Sequence, residues 1–274
     1  MLVAVTGLVV AARRAGKVRP VPAGWPVNIG HRGASVQYPE NTLASFRAAV
    51  EAGAGGLELD VRLTRDGHPV VMHDATVDRT TDGFGAVSGM TLAQVRRLDA
   101  GGAGRPDERV PSLREVLAGF PGVPVNIDIK DANQPGAEVV TLDVLREAGA
   151  TARTLVVSAH YGVVRRFRRA AGGECATGAS RLEIGVFYGL SLLRLERLLR
   201  PAYAALQVPV NYGSLRIITP RFIRAAHSRG VRVDVWTIND PVQMHDLLDL
   251  GVDAVMTDRP EALAGVLEER GRAG

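Results

Sequence analysis

The amino-acid sequence predicts an α/β protein, a single (β/α)8 TIM barrel with an insertion after the early strands. Short β-branched segments alternate with helical patterns along most of the chain, which is typical of a parallel sheet built from crossover units. Several of these segments are almost continuously apolar, as strands are when both faces of the sheet are covered. The length of 274 residues suits one barrel, since such domains have about 250 residues.

Nine segments have the composition and length of strands. They are residues 27–30, 56–63, 69–73, 125–129, 154–158, 176–179, 205–208, 232–238 and 254–256. The second and third are separated by a short segment that contains Asp66-Gly67, a dipeptide favoured in hairpin turns. No crossover helix fits between these two segments, so they are the exception to the alternation of strand and helix.

Helix ends are marked by capping residues. Ser112 precedes an apolar helical segment and Glu115 follows three residues later, as in a capping box. Thr219-Pro220 begins another helix, and Gly230 follows its end, because proline suits the first helical position and glycine the residue after the last. Residues 75–110, in contrast, are rich in glycine and weakly patterned. We interpret them as an insertion at one end of the barrel, where long loops often serve function.

The first 24 residues do not fit the barrel pattern, so the barrel domain is expected over residues 25–274. Residues 2–12 carry no charge and are followed by basic residues. This run is too short to span a bilayer, and its charge follows the apolar segment instead of preceding it as in a secretory signal. Two interpretations are open, an interfacial anchor for weak membrane association or the remnant of a longer N-terminal segment. The expected location is the cytoplasm, with membrane association and export as open alternatives, and the oligomeric state is left open.

The charge balance is mildly basic, with a formal net charge of +4. The densest basic run, residues 165–169, is interpreted as the solvated face of a helix. Nucleic-acid binding would require a basic stripe with interleaved aromatic residues, and these make up only 5% of the chain. A small anionic substrate fits the charge better. The single cysteine, Cys175, excludes an internal disulfide and is interpreted as a small core residue.

Four polar clusters stand at or near the ends of predicted strands. They are residues 30–33, 58–60, 73–74 and 128–130. In a (β/α)8 barrel the carboxyl ends of the strands surround the active site, so these clusters are expected to converge on one cavity.

The clusters contain three carboxylates with strand spacing. Glu58 and Asp60 are two residues apart and therefore point to the same face of their strand, and Asp128 and Lys130 have the same spacing. Neighbouring carboxylates repel one another unless a cation, shared protons or basic partners offset the repulsion. The three oxygen donors suit Mg²⁺ or Ca²⁺, while a structural ion-pair network is the alternative.

Two histidines, His31 and His73, follow apolar strands beside these carboxylates. Histidine is the side chain best suited to proton transfer near neutral pH, although a structural role for each is the alternative. Arg32 offers a planar cation able to hold a phosphate oxygen, and Gly33 permits close backbone approach. No nucleophile elbow, P-loop, dinucleotide fingerprint or cysteine-rich zinc pattern is present in the sequence.

Together these residues resemble the motifs of the glycerophosphodiester phosphodiesterase family, over about residues 27 to 265. The matching motifs are His31-Arg32-Gly33, Pro39-Glu40-Asn41-Thr42, Glu58-Leu59-Asp60-Val61, residues 63–67, His73-Asp74, Asp78-Arg79-Thr80-Thr81, Leu98-Asp99-Ala100-Gly101, Pro111-Ser112-Leu113 and residues 126–130, 235–239 and 256–260. So many ordered motifs make a chance match very improbable.

The resemblance implies a role for each candidate residue. His31 and His73 match paired acid and base histidines, and Glu58 and Asp60 match ligands of a divalent metal ion, Mg²⁺ or Ca²⁺. Asp128 stands where the family more often has glutamate as the third carboxylate ligand.

Four further residues match positions that contact or support the substrate. Lys130 matches a lysine near the phosphate and Arg32 an arginine that helps to hold it. Trp236 matches an aromatic wall of the pocket, and Glu40 a glutamate that supports the site from behind.

The implied activity is metal-dependent hydrolysis of glycerophosphodiesters to glycerol 3-phosphate and an alcohol, with the two histidines as acid and base. Three alternatives remain open. They are a phosphodiesterase that resembles lysophospholipase D, one that resembles phosphoinositide phospholipase C, and a barrel that binds phosphodiesters without turnover.

Overall fold

The computed structural model describes residues 18–22, 24–102, 107–131, 134 and 136–273. The strands in these residues are β1 (Asn28–His31), β2 (Gly56–Leu63), β3 (Pro69–Val71), β4 (Val125–Ile129), β5 (Thr154–Val157), β6 (Ala176–Thr177), β7 (Ala205–Val208), β8 (Asn211–Tyr212), β9 (Leu215–Arg216), β10 (Arg232–Val235) and β11 (Ala254–Thr257). The helices are α1 (Leu43–Glu51), α2 (Leu92–Val95), α3 (Leu113–Gly119), α4 (Ala137–Glu147), α5 (Tyr161–Ala171), α6 (Arg181–Leu192), α7 (Pro220–His227), α8 (Pro241–Leu250) and α9 (Pro260–Ala273).

Eight parallel strands form a nearly closed barrel. Their order in the sheet is β6-β5-β4-β2-β1-β11-β10-β7. The barrel strands that come first and last in the sequence, β1 and β11, are therefore neighbours. A parallel bridge between Gly178 and Ala205 brings the two outer strands, β6 and β7, together. The predicted (β/α)8 barrel is therefore confirmed. Of the nine predicted strands, the one that does not belong to the barrel is β3, which pairs antiparallel with β2 in the predicted hairpin.

Some strand limits differ from the sequence pattern. The candidate over residues 232–238 ends at Val235, and the candidate over residues 69–73 ends at Val71. The hairpin of β8 and β9 was not predicted, since strands of two residues are too short to show an alternating pattern.

The helix signals in the sequence correspond to observed caps. The hydroxyl of Ser112 accepts a hydrogen bond from the backbone N–H of Glu115, and the Glu115 side chain accepts one from the backbone of Ser112. This reciprocal pair satisfies two donors that the first helical turn leaves free. Thr219 caps α7 ahead of Pro220 in the same position that the sequence indicates. These caps set where each helix begins behind its strand.

Trp25 is buried among side chains from several barrel strands, with Ile29, Leu155 and Ala254 in the same cluster. Val21 packs against this cluster, and the guanidinium of Arg19 donates a hydrogen bond to the backbone carbonyl of Glu174. The segment that enters β1 therefore lies against the amino-terminal end of the barrel. The uncharged run at residues 2–12 lies outside the described residues. Within the described chain no helix combines the length and apolar character that a membrane span requires.

The predicted insertion over residues 75–110 has a small core of its own. Five apolar side chains of the insertion pack on Val70 and Met72 at the end of the β2–β3 hairpin; they are Val77, Val87, Val95, Ala100 and Val110. The capped turn of α2 and bridges such as Thr76 to Ala86 stabilise its irregular backbone. The insertion consequently forms one wall beside the carboxyl ends of β1 and β2.

Candidate active site

Strand register brings the predicted site residues side by side. His31 on β1 is the direct partner of Glu58 on β2, and Asp60 on β2 is the direct partner of Asp128 on β4. Because partners in neighbouring parallel strands point to the same side of the sheet, all four side chains face one cavity. The convergence expected from spacing is present at the carboxyl ends of these strands.

His31 is oriented by a carboxylate that comes from the other end of the chain. Its Nδ1 lies 2.7 Å from Oδ1 of Asp258, which follows β11. Its other ring nitrogen, Nε2, lies 4.0 Å from Oε2 of Glu58. Contact of Nδ1 with a carboxylate favours the tautomer in which Nδ1 carries a proton and Nε2 faces the cavity.

Asp258 is itself held by several donors. The hydroxyl of Ser35 donates to Oδ1 at 2.7 Å, and Nδ2 of Asn239 donates to Oδ2 at 2.7 Å. Burial alone would raise the pKa of the Asp258 carboxyl, but the hydrogen bonds from His31, Asn239 and Ser35 lower it to about 2. The carboxylate in turn raises the pKa of His31 against the opposing effect of burial. Asp258 is therefore ionised and rigidly placed at neutral pH.

His73 has a matching arrangement. Its Nδ1 lies 2.6 Å from Oδ1 of Asp74, and Oδ2 of Asp74 accepts from Nε of Arg79. Arg79 donates two hydrogen bonds to Glu40, whose Oε1 also accepts from Arg32. This chain of charges connects the imidazole of His73 with the guanidinium of Arg32. Glu40, for which the resemblance implies a supporting position, thus contacts both Arg32 and Arg79.

Two cations lie among the central carboxylates. Nζ of Lys130 is 2.9 Å from Oδ1 of Asp60 and 2.6 Å from Oδ2 of Asp128. Nε of Arg32 is 3.2 Å from Oδ2 of Asp60. Burial acts to raise the pKa of Asp60, but Lys130 and Arg32 outweigh it and lower that pKa. Asp60 is thus an anion that two cations hold in a buried position.

Glu58 and Asp128 carry less compensation. Burial, reinforced by the charge of Asp60, raises the pKa of Glu58, and burial is also the main cause that raises the pKa of Asp128. The Oδ1 atom of Asp128 is buried and accepts no hydrogen bond from any described residue. A buried carboxylate oxygen without a donor is costly, so a further positive charge at this place would stabilise the cluster.

The described side chains do not already form a metal-binding group, since no three His, Cys, Asp or Glu residues among them are arranged to hold an ion. Lys130 instead bridges two of the carboxylates expected as ligands. The donor set nevertheless fits a hard divalent cation, because it offers carboxylate oxygens and leaves Oδ1 of Asp128 without a partner.

The backbone around Arg32 is specialised for this site. Arg32 and Asn41 both have positive φ angles, 55° and 58°, which are uncommon for residues with a side chain. Nδ2 of Asn41 donates to Asp60 at 2.9 Å, so its unusual backbone serves the site. Gly33 lies so close to α1 that an added Cβ would stand 2.3 Å from Oγ of Ser45. Glycine at this position therefore permits close packing of the loop against α1.

Trp236 follows the carboxyl end of β10, and its side chain is 41% exposed. This places the indole at the barrel mouth, where the resemblance expects an aromatic wall. Sequence reasoning assigned no role to Asp74, Arg79 or Asp258, although each lies within a motif quoted for the resemblance. Their partners are distant in sequence or set by irregular loops, so no periodic signal identifies them.

Comparison with known proteins gives a consistent result. The model of the glycerophosphoryl diester phosphodiesterase family matches residues 31–262. A glycerophosphodiester phosphodiesterase from Caldanaerobacter subterraneus subsp. tengcongensis is 36% identical over 250 residues, which cover 89% of this chain and 98% of that protein.

Solved structures show the same likeness. A phosphodiesterase from Oleispira antarctica, in complex with the product sn-glycerol-3-phosphate, has a TM-score of 0.73 and 30% identity, with 88% of this chain and 96% of that chain covered. A glycerophosphodiester phosphodiesterase from Agrobacterium tumefaciens has the same TM-score at 27% identity, over 90% of this chain and 98% of that one.

Proposed function

Since this chain belongs to the glycerophosphoryl diester phosphodiesterase family and is an enzyme of that class, we propose that it hydrolyses glycerophosphodiesters through acid and base catalysis by His31 and His73 beside a divalent metal ion. The products are glycerol 3-phosphate and an alcohol. The observation that carries the proposal is a pair of histidines beside a buried carboxylate cluster, in each of which Nδ1 contacts the carboxylate of an aspartate.

The two histidines act through their Nε2 atoms, because Nδ1 is engaged with Asp258 in one case and with Asp74 in the other. One imidazole removes a proton from the attacking hydroxyl, and the imidazolium of the other donates a proton to the leaving alkoxide. Each carboxylate stabilises the positive ring that forms when Nε2 is protonated. A positioned acid or base of this kind typically contributes a rate factor of about 10² to 10⁴.

Lys130 and Arg32 lie where they can neutralise the phosphate. Both are held by Asp60 at the barrel mouth, so their charges are placed before the substrate arrives. Fixed cations in a partly dry cavity stabilise developing negative charge without the cost of reorganisation. Glu40 keeps Arg32 in place from behind through the hydrogen bond to Oε1.

Glu58, Asp60 and Asp128 are the residues that would hold the metal ion, Mg²⁺ or Ca²⁺. When bound, the ion supplies polarisation of the phosphoryl oxygens. Asp128 stands where the family more often has glutamate, and its side chain is one methylene shorter. The carboxylate is nevertheless present, and its free Oδ1 supports a role as ligand.

The glycerol 2-hydroxyl of the substrate is the proposed nucleophile. The chain has no serine or cysteine elbow, whereas the substrate carries this hydroxyl beside its phosphorus atom. Its oxygen attacks phosphorus while the phosphorus–oxygen bond to the alcohol breaks, which gives a cyclic phosphate that water opens in a second step. Attack within one molecule has a high effective molarity, with about 7–11 kcal/mol available from orientation.

The test is a substrate panel. Purified protein should release choline from glycerophosphocholine and ethanolamine from glycerophosphoethanolamine, and a metal chelator should stop both reactions. A lysophospholipid in the same assay separates the simple diesterase from an enzyme that resembles lysophospholipase D. Absence of turnover on every diester, with metal present, would contradict the proposal.

A further inference from the structure

The end of α6 exposes an unusual number of leucines. Leu192, Leu193, Leu195 and Leu198 lie within seven residues, and their exposed fractions range from 42% to 68%. Single exposed apolar residues are ordinary on protein surfaces, but a contiguous group marks a site of interaction. The hairpin of β8 and β9 adds Tyr212 and Leu215, which are cross-strand partners and are also exposed.

Arginines are interleaved with these leucines. Arg194, Arg197 and Arg200 are exposed in the same stretch, and Arg216 is exposed on the hairpin. Among the described residues none of the four has a carboxylate partner in an ion pair. We call this set of exposed leucines, Tyr212 and four arginines the Leu–Arg surface.

The acidic residues of the stretch do not offset this charge. Glu196 is buried and forms an ion pair with Arg221 at 2.8 Å. Glu183, near the start of α6, is likewise buried and paired with Arg168. The Leu–Arg surface is therefore both apolar and positively charged.

The Leu–Arg surface begins at the same end of the barrel as the active site and runs down toward the other end, since Arg229, just after α7, donates to the carbonyl of Leu199. The β8–β9 hairpin follows the carboxyl end of β7, and the hydroxyl of Tyr188 on α6 donates to the carbonyl of Arg216 on this hairpin. Arg221, in the first turn of α7, donates to the carbonyl of Ser191 at the end of α6. Helices of the barrel begin beside the carboxyl ends of the strands, so these contacts place the end of α6 there.

Trp236 extends the apolar surface to the cavity. Its backbone N–H donates to the carbonyl of Val208, the last residue of β7. Trp236 therefore lies beside the end of β7, the strand that the β8–β9 hairpin follows. Tryptophan and tyrosine prefer the boundary between lipid and water. The exposed side chains of Trp236 and Tyr212 thus both belong to segments near the carboxyl end of β7.

We propose that the Leu–Arg surface docks the mouth of the barrel on a bilayer that contains anionic lipid. The leucines would enter the boundary between headgroups and acyl chains, and the arginines would contact lipid phosphates. A twofold interface with a second copy fits less well, because such an interface places a patch against itself and sets arginine against arginine. The proposal rests on the proposed function for its purpose, which is to place the enzyme where removal of acyl chains from phospholipids would release its diester substrates.

The experiment measures sedimentation of the full chain with vesicles, without reference to turnover. Vesicles of phosphatidylcholine alone are compared with vesicles of phosphatidylcholine and phosphatidylglycerol. The parent should bind the anionic vesicles more tightly, and added salt should weaken this binding. In the variant Leu193→Ser with Leu198→Ser, the affinity for anionic vesicles should fall by about tenfold or more. In the variant Arg194→Gln with Arg197→Gln, that affinity should fall by about fivefold for each arginine removed.

Three comparisons keep the result specific. Val18→Ser with Val139→Ser changes two exposed valines outside the surface and should bind as the parent does. Leu8→Glu with Val9→Glu tests the uncharged N-terminal run, whose interpretation as a weak anchor predicts a smaller loss of binding than the leucine variant shows. Turnover of glycerophosphocholine in free solution should be the same in all variants, so failure of the proposed function would be seen separately.

Several outcomes would overturn the proposal. They are a parent that does not bind vesicles, equal binding to neutral and anionic vesicles, and unchanged binding of the leucine variant. Loss of binding only in the Leu8 and Val9 variant would assign membrane contact to the N-terminal run. A parent that is dimeric and binds no vesicles, with a monomeric leucine variant, would assign the surface to a second copy.

Discussion

Asp258 and His31 are separated by 227 residues, yet Oδ1 of Asp258 lies 2.7 Å from Nδ1 of His31. The contact forms because β1 and β11 are neighbours in the barrel, so the residues that follow them meet at its mouth. Asp74 forms the same kind of contact with Nδ1 of His73, but these two residues are adjacent in the sequence. The site therefore contains two carboxylate–imidazole pairs that differ in how the chain builds them.

Asp258→Asn should lower kcat by about 10- to 100-fold with little change in KM, because the amide still fills the place but no longer fixes the ring or stabilises its charge. Steady-state kinetics with glycerophosphocholine measures this effect, and proton NMR of the Nδ1–H signal of His31 shows whether the orientation is lost. The matched control is Asp253→Asn, which removes the carboxylate that pairs with His227 away from the site. An unchanged kcat in Asp258→Asn would contradict the positioning role.

Asp258 should also contribute to acid stability. Its folded pKa of about 2 lies below the ordinary aspartate value of 3.8, so the unfolded chain binds more protons between these values. The contribution to the free energy of unfolding is therefore present above about pH 4 and is lost as the pH falls toward 2; its size is about 2 kcal/mol. Urea unfolding of the parent and of Asp258→Asn should show a stability difference that narrows over this range. A constant difference from pH 5 to pH 2 would contradict the low pKa.

His31→Ala and His73→Ala should each lower kcat by about 10²-fold or more, because each removes one partner in proton transfer. Circular dichroism should show that both variants remain folded. His245→Ala serves as the control, since this histidine lies on α8 and pairs only weakly with Glu269 at 3.2 Å. Full activity in either His31→Ala or His73→Ala would show that the assignment is wrong.

Asp128 should be needed for metal binding. Calorimetric titration of the chelator-treated protein should detect binding of Mg²⁺ or Ca²⁺, and Asp128→Asn should weaken it by about tenfold or more. Asp128→Glu should retain binding and activity, because it restores the residue more common in the family. Asp66→Asn, in the exposed hairpin turn, is the control. Equal metal affinity in Asp128→Asn and the parent would remove Asp128 from the proposed ligand set.

Much of this site could be predicted from sequence because strand geometry is regular. The spacing of Glu58 and Asp60 implies one face, and the apolar runs before His31 and Asp128 imply strand ends that meet in a barrel. The β2–β3 hairpin could be predicted as well, since Asp66-Gly67 has a specific turn preference.

Contacts between irregular segments could not be predicted in this way. The role of Asp258 depends on which strands become neighbours when the barrel closes, and the path from Arg79 to Glu40 depends on the loop of the insertion. The exposure of the leucines at the end of α6 could not be predicted either, because an apolar helical segment is ordinarily buried. Burial depends on what covers a helix, and a pattern within the helix does not contain that information.

The most direct test of the central claim is the identity of the products. Phosphorus NMR of glycerophosphocholine with the enzyme and metal should show glycerol 3-phosphate as the final product, preceded by a transient cyclic phosphate from attack by the 2-hydroxyl. An analogue without this hydroxyl should bind competitively but remain intact. Formation of phosphocholine, or hydrolysis of the analogue at the normal rate, would contradict the proposed reaction.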